Sequence, residues 1–322
     1  FGCLNNLDFL RASVTPWWIK VYMVSTLSNT ELQNRVEAAY KFLESCRVCP
    51  RECGVNRLKN DKLGFCRSGL NPAISSASPH HGEEPPLSGT KGSGTIFFAN
   101  CNLKCAYCQN YPISQMGHGA EKTPAELACQ MLWLQEQGCH NLNLVTPTHF
   151  MPQFLKALGI AKERDFSLPV VYNTSGYDSV EALRLLDGVV DIYLPDMRYS
   201  DNQAALKYSI APHYAEVNRA AVKEMYRQVG NLVVDENGIA KRGLIVRHLV
   251  LPGGLSGTES IMKFLAEEIS KDVYISLMSQ YFPAYKATTM KELSRRITAD
   301  EYDEAYDIKM KYGLENGWVQ EL

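Results

Sequence analysis

The stretch CNLKCAYCQN, Cys101–Asn110, sets three cysteines in the spacing C-x3-C-x2-C, with Tyr107 beside the last. Three thiolates this close can ligate three irons of a [4Fe–4S] cluster, whose cuboid normally takes four cysteines. Such a set leaves one iron with an open position for a substrate or cofactor. Zinc is the competing metal, but a structural zinc site is closed by four ligands; His118 could supply the fourth. A second set, Cys46, Cys49, Cys53 and Cys66, has the spacing C-x2-C-x3-C-x12-C. Four ligands suit either a saturated iron–sulfur cluster or structural zinc. Gly54 and Gly64 suit the tight turns around a metal. Arg47, Arg51, Arg57, Lys59, Lys62 and Arg67 surround this set, as a solvated basic face, as charge compensation for an anionic cluster, or as a docking face for an acidic partner. Cys129 and Cys139 read as small core residues.

Something must hold these thiols in place. Short apolar runs, GTIFFAN, NLNLVTP, LPVVYNT, VVDIYLP, GLIVRHLVLP and DVYISLM, alternate with helical patterns from about Gly94 to Met278. Runs rich in Val, Ile and Leu suit strands buried on both faces, and their alternation with helices predicts a parallel sheet, open or curled into a barrel. Thr123 with Glu126, and Thr298 with Glu301, predict capping boxes at two helix starts. SPHHGEEPPLSGTKGSG, residues 78–94, reads as an ordered loop or boundary; His80 and His81 fall in it as solvated residues or at the mouth of the site. Polar residues gather where the strands end, the usual ligand side of parallel α/β folds. They are Thr146, Thr148 and His149, then Asn173, Thr174 and Ser175, then Asp196, then Arg247 and His248. The expected parts are a leader and helix (1–45), a cysteine-rich module and loop (46–90), the barrel (91–297), and a C-terminal helix and tail (298–322).

The 322 residues carry 33 Lys+Arg against 35 Asp+Glu, a formal net charge of -2. That balance argues against bulk binding to nucleic acid or to an anionic membrane. No apolar run has the length of a membrane span. The N-terminal stretch lacks the regions of a signal peptide, and Met23 is an alternative start. Clustered cysteines in such a chain point to metal or catalytic use in a reducing cytoplasm.

With Tyr107 before the last cysteine and the motif following the first strand, the chain resembles the radical S-adenosylmethionine (radical SAM) superfamily. The resemblance implies a partial (β/α)6 TIM-like barrel of parallel strands, here with an N-terminal cysteine-rich metal module. It implies that Cys101, Cys105 and Cys108 hold a [4Fe–4S] cluster whose open iron chelates SAM. Reduction by a carrier such as flavodoxin or ferredoxin then cleaves SAM to methionine and a 5′-deoxyadenosyl radical that abstracts hydrogen from substrate. SGTIFFANCNLKCAYCQN, YNTSGY, DIYLPDM and RHLVLPG, together with CRVCPRECGVN, EEPPLSG and LMSQYFP, are similar to segments of pyruvate formate-lyase activating enzyme-like proteins of the PflX-like branch. The match spans about residues 45–296. It implies an activase-like oxidoreductase with a protein substrate, beside radical modification of a small molecule or of another protein; a non-enzymatic zinc-binding scaffold is the reading from another class. The superfamily's Gly-Gly-Glu-like segment is replaced by NLVTPTHF, so Thr146, Thr148 or His149 takes its role with the SAM amino group. Asn173, Thr174 and Ser175 are expected at the ribose or methionyl group. Arg247 is either a fork for the SAM carboxylate or structural, and His248 faces either cavity or core. The Cys46–Cys66 module is left as an auxiliary iron–sulfur cluster or zinc.

Overall fold

The computed structural model describes residues 27–59 and 64–320. The leader with Cys3 and Met23, and Lys62 of the module, lie outside the described residues. The strands are β1 (Ala73–His80), β2 (Ser93–Phe98), β3 (Ala120–Glu121), β4 (Leu142–Val145), β5 (Val170–Thr174), β6 (Ile192–Pro195), β7 (Val233–Val234), β8 (Ala240–Leu249), β9 (Tyr274–Met278) and β10 (Gly317–Val319). The six expected strands are β2, β4, β5, β6, β8 and β9. They pair in parallel in chain order, with β10 added beyond β9 and β1 antiparallel to β2 at the other edge.

Adding each strand on the same side of the last puts every crossover helix on one face. That face holds the main core, where Ile96, Phe98, Leu142, Leu144 and Tyr172 meet helix residues such as Leu127, Met131, Phe154 and Leu158. Strand twist curls the other face inward into an open barrel. A separate small apolar cluster closes the bottom of its lumen: Val171, Ile192, Leu194, Ala240 and Ile245 close around Leu87. Leu87 comes from a short helix, Pro85–Ser88, in the segment between β1 and β2. The stretch read as a loop from Ser78 therefore begins inside an edge strand and then plugs the barrel.

Both capping boxes form. Thr123 Oγ1 accepts from Glu126 N at 3.2 Å while Glu126 Oε2 accepts from Thr123 N at 2.7 Å. The same pair closes at Thr298 and Glu301. A helix with no apolar stripe in the sequence, Asn202–Ser209, starts on an Asp201 cap. Past β5, Gly176 takes a left-handed φ of 71°. Asn218 Nδ2 donates to Gly176 O at 3.2 Å and to Asp196 O at 2.9 Å, tying the ends of β5 and β6 together. A Cβ on Gly176 would collide with the Asn218 amide and the Asp196 carbonyl. Gly176→Ala is expected to cost about 1–2 kcal/mol for the conformation and roughly 1–3 kcal/mol for overpacking. Thermal unfolding of the two proteins side by side checks this; an unchanged midpoint would mean the strand ends are not held so tightly.

Candidate functional site

The three-cysteine loop follows β2 at the C-terminal end of the parallel strands, after Asn100 in a left-handed turn (φ 68°). It is held from below by Asn102, fully buried, whose Nδ2 donates to Tyr177 O at 2.7 Å. It is held from the side by the helix Asn202–Ser209: Lys104 N donates to Ser209 O at 3.0 Å and Ala106 N to Tyr208 O at 2.7 Å. Each sulfur meets a hydrogen-bonding group. Cys101 Sγ accepts from Leu103 N at 3.3 Å. Cys105 Sγ accepts from Ser209 Oγ at 3.0 Å and from Arg198 Nη1 at 3.2 Å. Cys108 Sγ lies 3.0 Å from Ser114 Oγ. Burial, and next the neighbouring Cys105, push the Cys101 thiol up to about 12; burial also raises Cys108. Thiols this deep ionise only with a cation to compensate them, and donors aimed at sulfur suit thiolates that ligate a cluster. The residues therefore fit a [4Fe–4S] group. His118, offered as a fourth ligand, is exposed in the loop after the motif.

The four-cysteine module packs against this loop. Cys46, Cys49, Cys53 and Cys66 line one small cavity together with Arg51, Arg57 and His149. Arg57, expected on a basic face, is buried and staples the module to the end of β4: it donates to Gly69 O through Nε and Nη2 and to His149 O through Nη1 at 2.7 Å. Arg51 Nε donates to Asn102 O at 2.9 Å, and its guanidinium lies 3.7 Å over the Phe65 ring. Arg51 lines the module's cavity while bonded to Asn102 beside Cys101, and Lys104 of the three-cysteine loop lies 5.4 Å over Phe65 of the module, so both cations lie where the two cysteine sets meet. Among the described residues, no three His, Cys, Asp or Glu side chains form a group that could hold a single metal ion. Cys139 is buried as expected, whereas Cys129 is only half-buried and accepts from Arg164 at 3.7 Å.

The polar strand ends divide. Thr148 and Thr174 do not open toward the cysteines: both hydroxyls donate to the buried Asp178, each at 2.7 Å. His149 turns to the module's cavity, and Nε2 meets Ala99 O at 2.9 Å. His248 faces the core, its ring nitrogens on Met197 O (2.8 Å) and Thr258 Oγ1 (3.0 Å). Burial lowers His149 to about 3 and His248 to about 4, so both are neutral. Thr146 is left at the rim, half-buried at φ 60°, an outlier for a β-branched residue. Among the described residues, Ser175 Oγ and Tyr107 OH are buried without a hydrogen-bond partner. Asn173 lies on the inner face of β5, and Tyr107 packs edge-on against Tyr199 and Tyr281. Arg247 points into the lumen, where its guanidinium lies 3.4 Å from Glu83, 3.5 Å from Glu84 and 3.6 Å from Asp196. Arg198, Ser209, Glu83 and Glu84 were not expected here. EEPPLSG contains Glu83 and Glu84 and DIYLPDM ends beside Arg198, whereas no quoted segment reached Ser209.

A cavity of about 540 Å3 also opens beside the C-terminal helix Ala299–Lys311, lined by Glu259, Lys263, Glu301 and Tyr312. No cysteine reaches it, so the chemistry is placed at the barrel mouth instead.

The family model described as the Radical SAM superfamily matches residues 95–236, the cysteine loop included. An uncharacterized protein of Methanocaldococcus jannaschii, MJ0674, is 33% identical over 294 residues, covering 88% of this chain and 80% of that protein. The chain belongs to the radical SAM superfamily. Two solved structures match at low identity. A radical SAM methyltransferase from Sphaerobacter thermophilus is 15% identical, with a TM-score of 0.46 over 70% of this chain and 66% of that one. The hydrogenase maturase HydG from Carboxydothermus hydrogenoformans is 11% identical, with a TM-score of 0.47 over 70% and 52%. No helix among the described residues is long and apolar enough to cross a membrane.

The superfamily implies a [4Fe–4S] cluster and SAM, and Ser209 then becomes a residue that tunes the cluster. Its hydroxyl donates to Cys105 at 3.0 Å and accepts from Tyr199 OH at 2.8 Å. A neutral hydrogen bond contributes about 0.5–1.5 kcal/mol, which for one electron is roughly 20–60 mV. Ser209→Ala is expected to lower the midpoint potential by up to that amount, because the lost bond favours the more negative, reduced state. A redox titration followed by electron paramagnetic resonance measures it; a rise in potential would contradict the assignment.

Proposed function

We propose that the protein is a radical SAM enzyme that abstracts hydrogen from a small polar substrate held in the barrel lumen, with Cys101, Cys105 and Cys108 as cluster ligands. The carrying observation is the three-cysteine loop at the lumen mouth with a hydrogen-bonding group at every sulfur. When bound, a cluster with an open iron supplies the electron that cleaves SAM. The chain's own part is to bind and orient. Thr146, Asn173 and Ser175 line the rim where the methionyl and ribose groups would lie, and Ser175 Oγ has a bond to give. Tyr107 walls the loop. Asp196 takes two bonds from Arg198, at 3.1 and 2.5 Å, and so aims that guanidinium at Cys105. The charged lumen, with Glu83, Glu84 and Arg247 beneath the mouth, favours a polar small molecule over the uncharged glycine loop that an activase would receive.

The module is read as an auxiliary iron–sulfur cluster rather than zinc. Its four thiols line a single small cavity. Phe65 N donates to Cys53 Sγ at 3.4 Å, and Arg51 Nη2 is buried beside the set with no partner among the described residues. The Nε2 proton of His149 goes to Ala99 O, which leaves a lone pair on Nδ1, also unpartnered, at the cavity wall. A cluster here, with Arg51 and Lys104 where it meets the three-cysteine loop, would relay electrons from an acidic carrier such as flavodoxin or ferredoxin, docked against exposed Lys59 and Arg67.

Anaerobically reconstituted protein with dithionite and SAM is expected to form 5′-deoxyadenosine, and Cys105→Ala to abolish it. Undiminished cleavage in that variant would sink the assignment. In a Cys101/Cys105/Cys108 triple-Ala variant, elemental analysis should still find iron and sulfide; zinc alone, or no metal, would remove the auxiliary cluster.

A further inference from the structure

Carboxylates outnumber guanidinium groups on the lumen floor. Glu83, Glu84 and Asp196 meet Arg247 and Arg198, with the His80 ring also beside Glu83. Arg198 is shared with Cys105. The side chains of Glu83 and Glu84 are only 8% and 7% exposed, so the excess is not dissipated in water. Burial raises the pKa of Glu83 against the pull of Arg247, and Glu84 raises it further, as expected of two carboxylates competing for one cation.

Two further observations point to a missing occupant. Glu84 Oε2 is buried with no hydrogen-bond partner among the described residues. Asn143, on the inner face of β4 and 0% exposed, stands beside Glu83 and helps to lower its pKa, yet neither amide atom makes a well-formed hydrogen bond. Buried polar atoms are rarely left this way, since each costs about 1–3 kcal/mol. Glu84 Oε2 and Asn143 Oδ1 are acceptors and call for a donor, whereas Asn143 Nδ2 and Arg247 Nε, also without a well-formed bond, call for an acceptor; beside two carboxylates the donor favoured is one that carries positive charge. A bare metal ion is disfavoured, because the Arg247 guanidinium already stands among the three carboxylates. An ammonium group supplies three N–H donors and one positive charge.

Resting on the reading of the lumen as the substrate chamber, we infer that the substrate carries an ammonium group, which docks between Glu84 and Glu83 against Asn143. The Pro85–Pro86 pair and the Leu87 plug fix these carboxylates from below. Glu83, Glu84 and Arg247 all lie outside the span shared with the superfamily model, residues 95–236. This charge pattern is therefore carried by the flanking segments rather than by the common SAM-cleaving domain.

The test is calorimetry on the full chain, anaerobically reconstituted and saturated with SAM, with n-butylammonium as probe and n-butanol as its neutral match. Wild type is expected to bind the amine saturably and the alcohol not at all. Glu84→Gln, close in shape, is expected to weaken amine binding by at least about tenfold, with SAM affinity and iron content unchanged. Should Glu84→Gln fold poorly, Glu83→Gln and the amine–alcohol comparison in wild type still decide the matter. Equal binding of amine and alcohol, or no saturable amine binding, overturns the inference. A loss of SAM affinity instead of amine affinity overturns it too, by giving the site to the methionyl ammonium of SAM. Iron content and SAM affinity report on the cluster reading, so its failure is distinguishable from failure of this one.

Discussion

Buried sulfur sets the terms for the mouth of this barrel. Cys101, Cys105 and Cys108 sit where the first parallel strand ends, with Cys101 and Cys105 almost wholly withdrawn from water. A thiolate there is costly unless donors and cations come with it. The surroundings are built to that need. Leu103 offers backbone, Ser114 and Ser209 offer hydroxyls, and Arg198 offers charge, itself steadied by Asp196. The helix Asn202–Ser209, with little apolar pattern of its own, exists to deliver Ser209 and two backbone carbonyls to the loop.

From that constraint the rest of the mouth follows. Asp196 cannot serve Arg198 unless β5 and β6 end at a fixed separation, which Asn218 and Gly176 enforce. Tyr214 OH adds a bond to Ser175 O at 2.9 Å and contacts Asp196 O at 3.2 Å, so the YNTSGY turn and the cluster's charge partner are one unit. Thr148, Thr174 and Asp178 then brace the turn from behind. Burial lifts Asp178 to about 6, and the two hydroxyls oppose that lift, so this carboxyl is a tie rod in the wall and not an acid facing substrate.

Much of this was legible in the sequence, for identifiable reasons. The six parallel strands are short Val, Ile and Leu runs buried on both faces, and the two capping boxes are local, so neither depends on distant partners. The cysteine spacings are local too. What the sequence did not reveal were directions. His149 and Thr148 lie just past β4, where the chain enters a 3-10 turn and strand parity no longer says which way a side chain points. Inside β8 parity holds, but only pairing tells which face is inner: Arg247 goes to the lumen and His248 to the core. β1 was read in part as loop because AISSASPH is polar and contains Pro79; its place comes from antiparallel pairing with β2. Arg57 looked like one of several surface cations, but the Gly69 and His149 carbonyls enclose it.

The lumen separates what is shared from what is particular to this chain. The span common to the superfamily supplies β2 to β6, the cysteine loop, and the Asp196–Arg198 pair. The plug segment before β2 and the strand β8 after it supply Glu83, Glu84 and Arg247. These groups are far apart in sequence yet meet across the barrel because a unidirectional sheet leaves one face free of helices. Arg247 is therefore committed to the chain's own carboxylates, which argues against a free fork for the SAM carboxylate. Its guanidinium instead holds Glu83 and Glu84 in place below the mouth, where carboxylates outnumber guanidinium groups. A chamber of that polarity would select a guest by charge before any contact with a reacting bond is made.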